Sequence, residues 1–192
     1  NIYLVNRNSK KEKIQNKNLI HICCDRGQLD KIKNLFDDVT FDYVFDNIAY
    51  KLKDVKTLHK LLHGKIGHYI FTSTIMTYLN LNDGYEVKEQ DWFKNKNTKN
   101  MLNKYQSGEI KYALNKERIE RYLLKNKNIN STILRVANVI GKNDFSKKTN
   151  KLLTYSYRKI NDNNISGNDY IQFCFKEDLV KVIVKIIEKK NK

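Results

Sequence analysis

At 192 residues, with 40% apolar and 30% charged residues, the chain is the size of one domain and has enough apolar content for a core. No apolar run approaches transmembrane length, which excludes a helical membrane span in the sequence. The net charge of +16 admits a nucleic-acid or anionic-ligand surface. However, Lys and Asn are frequent throughout, Pro is absent and Lys is spread rather than clustered, which favours compositional drift.

Ile2-Tyr3-Leu4-Val5 is an apolar run closed by Asn6-Arg7 and reads as a buried strand. Residues 9–17 are polar and give no clear element. Leu19–Cys24 reads as a second strand, ended by Asp25-Arg26-Gly27. Leu29, Ile32, Leu35 and Phe36 recur at helical spacing, and Phe41–Asp46 is a third strand. Val55, Leu58, Leu61 and Leu62 predict an amphipathic helix that stops at Gly64. His68–Thr74 is a fourth strand that runs into hydroxyls. Residues 79–107 are loop-like, with Trp92 and Phe93 as apolar anchors. Gly108–Leu124 predicts one helix, rich in good helix formers. Ser131–Ala137 is a fifth strand, followed by Asn138 and Gly141. Leu152, Leu153, Tyr155 and Ile160 suggest a further helix, Ile171–Phe175 a short strand, and Leu179 to Ile187 a final helix running into lysines.

Strands alternating with helices imply right-handed crossovers and a doubly wound parallel sheet. Ligands then bind beyond the carboxyl ends of the strands. Those ends are Asn6/Arg7, Asp25/Arg26, Asp46/Asn47 and Ser73/Thr74, each polar where the strand body is apolar.

Within the Gly108–Leu124 segment, Tyr112 and Lys116 lie one helical turn apart on one face. A phenol beside a fixed ammonium is a plausible proton donor and acceptor. Moving it from a pKa near 10 to neutrality takes about 4 kcal/mol, within reach of one charge at about 4 Å. With 12 Tyr and 31 Lys (37 Lys and Arg less six Arg), chance alone supplies about two such spacings. Tyr155/Lys159 is the other, but no hydroxyl-ended strand precedes it. His59 and His63 are four residues apart, but no third metal ligand is evident, so no metal site is expected. Cys23, Cys24 and Cys174 without a signal peptide point to a reducing, cytoplasmic setting, and the adjacent pair reads as core rather than redox-active.

In order along the chain, Tyr69–Tyr78 with its hydroxyl-rich strand end, Tyr112-x-x-x-Lys116, and Leu134-Arg135-Val136-Ala137-Asn138-Val139-Ile140-Gly141 resemble the extended short-chain dehydrogenase/reductase superfamily. More narrowly, they resemble its NAD-dependent epimerase/dehydratase family. Phe173, Asp178 and Leu179 resemble that family's later strand and helix. The resemblance implies a Rossmann-like α/β fold, with residues 1–192 as one partial NAD(P)-binding domain. It implies Tyr112 as acid/base, Lys116 as the group that lowers its pKa and holds the nicotinamide ribose, and Thr74 as a further hydrogen-bond donor to the substrate oxygen. Ser73 neighbours Thr74 and would share its work. Arg7 falls where the adenosine ribose is read and favours NADP over NAD; Asp25 and Arg26 fall near the adenine. Asn47 and Ala49 belong to a stretch whose backbone lines the cofactor, and Asn138 to a position that touches substrate. A nucleotide-sugar or similar small molecule is the implied substrate, and a homodimer is compatible with the family. The glycine-rich phosphate loop expected before such a first strand is missing, the chain opens with Asn, and its end precedes the family's last substrate-binding segments, so both ends look truncated. Similarity of the Asp42–Asn47 stretch to an atypical branch with RNA-binding members keeps nucleic-acid binding as the alternative.

Overall fold

The computed structural model describes residues 1–7, 16–78, 87–93, 107–142 and 172–190. The polar stretch read without an element and the helix proposed around Tyr155 and Lys159 fall largely or wholly outside them. The chain divides into two compact units, residues 1–72 with 114–133 and residues 73–113 with 134–192.

In the first unit, β1 (Ile2–Asn6) and β2 (Leu19–Cys23) pair in parallel, from Ile2 opposite Leu19 to Asn6 opposite Cys23. The segment after β2 is a 3-10 helix, Arg26–Phe36, interrupted at Gln28, and not a regular α-helix. Asp25 starts it by accepting the Gly27 N–H at 2.7 Å, a side-chain cap on an otherwise orphaned donor. Of the four apolar residues expected to line it, Leu29 and Phe36 are buried, while Leu35 lies on the exposed side. Phe36 closes an edge-to-face cluster with Tyr3 and Phe41, their ring centroids 5.4–6.1 Å apart.

β3 (Phe41–Asp46) pairs in parallel with β4 (Ile66–Thr74) across the crossover helix α1 (Leu52–Leu61). The Asp54 carboxylate takes the N–H groups of Tyr50 and Lys51 at the start of α1. Its end unwinds to Gly64, whose φ of 73° is the left-handed conformation that glycine tolerates best. From His68 onward β4 is buried at every position, so its burial does not alternate. The helix α2 (Ser107–Lys125) follows, and β5 (Ser131–Val136) completes a ladder in the order β3-β4-β5. The core of this unit joins Ala49, Val55, Tyr69, Phe71, Ile119 and Leu123. Burial of these side chains is the main stabilising term, at roughly 1.5–3 kcal/mol for each large one.

In the second unit, β6 (Asn138–Ile140) pairs in parallel with β7 (Phe173–Phe175), which leads directly into α3 (Lys176–Lys190). Two short 3-10 turns, Ile75–Tyr78 and Glu89–Phe93, flank the end of β4 and carry Tyr78 and Trp92. The Arg135 guanidinium lies 5.2 Å from the Tyr78 ring centroid and 4.9 Å from that of Trp92, and donates to the Tyr78 hydroxyl at 2.8 Å. Trp92 therefore anchors its segment by stacking on arginine. Every strand pair with a defined register is parallel, as the alternation of elements requires. Among the described residues no helix is long and apolar enough to cross a membrane.

Candidate active site

The carboxyl ends of β1 and β2 in one ladder, and of β3 in the other, carry the predicted ligand-facing residues of the first unit. Arg7 and Asp25 are both exposed and lie 3.9 Å apart, nitrogen to oxygen. Asn47 is exposed, while Ala49 is fully buried and contributes only its backbone to the turn after β3.

Arg26, expected near the adenine, is half-buried and already paired. Its guanidinium grips the Asp46 carboxylate through two hydrogen bonds, of 2.8 and 2.5 Å, and also reaches the Asp54 carbonyl at 3.3 Å. Asp46 is 3% exposed. It accepts three further hydrogen bonds: the Tyr69 hydroxyl at 2.5 Å, and the N–H groups of Ile48 and Ala49 at 3.2 and 3.1 Å. Burial first, and then the Asp46 charge, push the Tyr69 phenol far above its ordinary value, so it acts only as a donor. One carboxylate thus holds the segment after β2, the turn after β3 and the middle of β4. Sequence reasoning placed Asp46 at a polar strand end but gave it no partner. The available signal was a pair of opposite charges at successive strand ends.

Lys116 is buried to 2%. Its ammonium donates to the Thr72 carbonyl at 2.7 Å and lies over the rings of Phe71, at 4.7 Å, and Tyr50, at 5.3 Å. Burial draws the ammonium down to about 8; Asp46 and Glu120 oppose that fall and Arg26 adds to it. Tyr112, half-buried, precedes Lys116 by one turn of the same helix.

In the second unit, Ser73 and Thr74 are buried at the end of β4, at 1% and 7% exposure. The Thr74 hydroxyl accepts the Met76 N–H at 3.3 Å, and its carbonyl accepts the Thr77 hydroxyl at 3.0 Å, which fixes the turn out of the strand. Asn138 opens β6, and both its backbone N–H and its amide nitrogen donate to the Gln172 carbonyl at 3.3 Å. That contact gives Asn138 a strand-joining role whatever else it does.

Solved structures that share this fold include the following three. WbmH of Bordetella bronchiseptica, solved in complex with NAD+, matches with a TM-score of 0.65 at 16% identity, over 97% of this chain and 63% of that one. WbmG of the same organism, in complex with NAD, matches with a TM-score of 0.62 at 14% identity, over 95% and 59%. A UDP-N-acetylglucosamine 4-epimerase from Methanobrevibacter ruminantium M1, in complex with UDP-N-acetylmuramic acid, matches with a TM-score of 0.64 at 18% identity, over 97% and 64%. The chain therefore spans less than two thirds of the length of each. Comparison with curated protein sequences finds no match. The sequence pattern of the NAD dependent epimerase/dehydratase family, in contrast, matches residues 1–192. With that pattern matched along its whole length, and parallel ladders whose carboxyl ends carry the polar residues, this chain belongs to the NAD dependent epimerase/dehydratase family.

Proposed function

We propose that the chain is the cofactor-binding part of an NAD(P)-dependent epimerase, dehydratase or reductase that acts on a nucleotide-sugar or similar small molecule. The observation that carries this reading is Lys116. A lysine 2% exposed, with its ammonium held at the carboxyl end of a central strand, is costly to bury and is rare without a task. The first unit's edge also fits a dinucleotide. Arg7 and Asp25 present charged, exposed groups suited to a ribose and its 2′ substituent, and the turn at Asn47–Ala49 offers a side chain small enough for close backbone approach.

Bound NAD(P) would supply the hydride acceptor. Tyr112 takes the proton of the substrate hydroxyl, and Thr74, with Ser73 beside it, donates a hydrogen bond to the substrate oxygen. The positive charge of Lys116 favours the phenolate of Tyr112. Asn138 touches the substrate. The titration that tests this is calorimetric: the full-length protein with NAD and, separately, with NADP. Micromolar binding of either is the expected result, and the tighter one reports what Arg7 recognises. Absence of binding by both refutes the reading. In the same protein, Tyr112→Phe lowers turnover of a nucleotide-sugar substrate by at least about 100-fold. An unchanged rate removes Tyr112 from the mechanism.

A second reading, nucleic-acid binding on the same fold, draws on the +16 charge and on Lys53, Lys56 and Lys60, which line one shallow groove on α1. Its signature is affinity that collapses between low and moderate salt.

A further inference from the structure

A buried ion pair is a poor device for stability, because removing two charges from water offsets most of their attraction. The Arg26–Asp46 pair is nonetheless buried and joined by two guanidinium hydrogen bonds, with three more donors turned onto the same carboxylate. Its position in the sheet is specific. In the parallel ladder, Asp46 lies opposite Phe71. The Lys116 ammonium rests on the Phe71 ring and bonds the carbonyl of the next residue, Thr72. The carboxylate at the end of β3 and the ammonium that α2 lays on the neighbouring strand β4 therefore stand at the same level of the sheet, inside one unit.

We propose that the Arg26–Asp46 pair is a positioning device for Lys116: it fixes the Asn47–Ala49 turn and sets the charge balance against which the buried ammonium is held. Its catalytic meaning rests on the reading of Lys116 given above. The electrostatics start from geometry: Asp46 lies opposite the Phe71 that carries the ammonium, and Arg26 is bonded to Asp46. Among the described residues, the charged and titratable groups near the ammonium include Asp46 at the end of β3, Arg26 after β2, Glu120 one turn on in α2, Tyr112 one turn before Lys116 on the same helix and the Tyr50 ring in the turn before α1. Asp46 and Glu120 favour the protonated lysine, whereas Arg26 disfavours it. A pair whose charges do not reach the ammonium would change Lys116 only by loosening shared contacts, alike in both variants. A pair whose charges set its balance shifts the midpoint in opposite directions when one or the other charge is removed.

The test is an NMR titration of the Lys116 side chain in the ligand-free protein, for wild type, Asp46→Asn and Arg26→Gln. Asp46→Asn leaves the Arg26 charge facing Lys116 uncompensated, and the midpoint falls by about one pH unit from its wild-type value. Arg26→Gln leaves Asp46 uncompensated, and the midpoint rises by a similar amount. Movement in the same direction in both variants, or no movement in Arg26→Gln, overturns the proposal. Arg26→Gln retains the Tyr69 hydroxyl and both backbone donors on Asp46, so it remains measurable if Asp46→Asn does not fold, and its upward shift alone then decides. The midpoint is read without cofactor, so its outcome is separate from whether NAD or NADP binds.

Discussion

His59 makes acid stability a sharp test of how the core is built. Its imidazole is 7% exposed. It is packed edge-on to Tyr69 at 4.6 Å and stacked on Tyr122 at 5.7 Å. Nδ1 lies 3.4 Å from the Tyr122 hydroxyl, and Nε2 is buried with no hydrogen-bond partner. Protonation would put a charge at that orphaned nitrogen. Burial accordingly draws the ring from its ordinary 6.5 down to about 4; Asp46 opposes this and Arg26 reinforces it. A histidine depressed in the folded state is protonated first in the unfolded chain. The unfolded state therefore binds more protons between about pH 6.5 and 4, and stability falls as pH drops through that window. The gap corresponds to roughly 3 kcal/mol at full burial, and to about 2 once some solvent reaches the pocket. Urea unfolding of wild type and His59→Phe, compared at pH 7 and pH 4, cancels the common titration of the carboxylates. Wild type loses about 2 kcal/mol more than the variant. Equal losses, or a His59 NMR midpoint near 6.5, refute the argument.

Gly67 has its would-be Cβ 2.8 Å from the Asp42 carbonyl oxygen, a backbone atom that cannot step aside. Gly67→Ala therefore destabilises by about 1–3 kcal/mol in thermal unfolding, and a neutral result would show that β3 and β4 can part without cost. Ile119, fully buried in the first core, loses about 3 kcal/mol on substitution by Ala, read as a lower urea midpoint with an unchanged slope. Trp92 is the single tryptophan and is 1% exposed, so its fluorescence reports the Arg135 stack directly. Arg135→Lys removes the planar partner, red-shifts the emission and costs about 1 kcal/mol; an unmoved spectrum would show that the stack is incidental.

The strands, the glycine stop after α1, the hydroxyl-rich end of β4 and the α2 helix with Tyr112 and Lys116 were legible from local pattern, because apolar runs and helical spacing act over a few residues. Even the polar strand ends could be read in order. What each of them faces could not. A charged residue at a strand end reads the same whether it meets a ligand or another side chain; only the fold shows that Arg26 takes Asp46, twenty residues later, into its fork. His59 and His63 looked like a spaced pair on one helix; packing buries the first between Tyr69 and Tyr122 and leaves the second exposed. The Leu29–Phe36 segment has helical spacing, yet its capped start and the break at Gln28 tighten it into 3-10 turns. The sequence by itself determined most of the segments that form strands and helices, the short β6 and the 3-10 turns after β2 excepted, and which residue types crown their ends. Only the tertiary structure decided which of those polar groups compensate one another. Such pairing depends on the register between strands distant in the chain, set here when Asp46 falls opposite Phe71 beneath the Lys116 ammonium, and no local pattern encodes it.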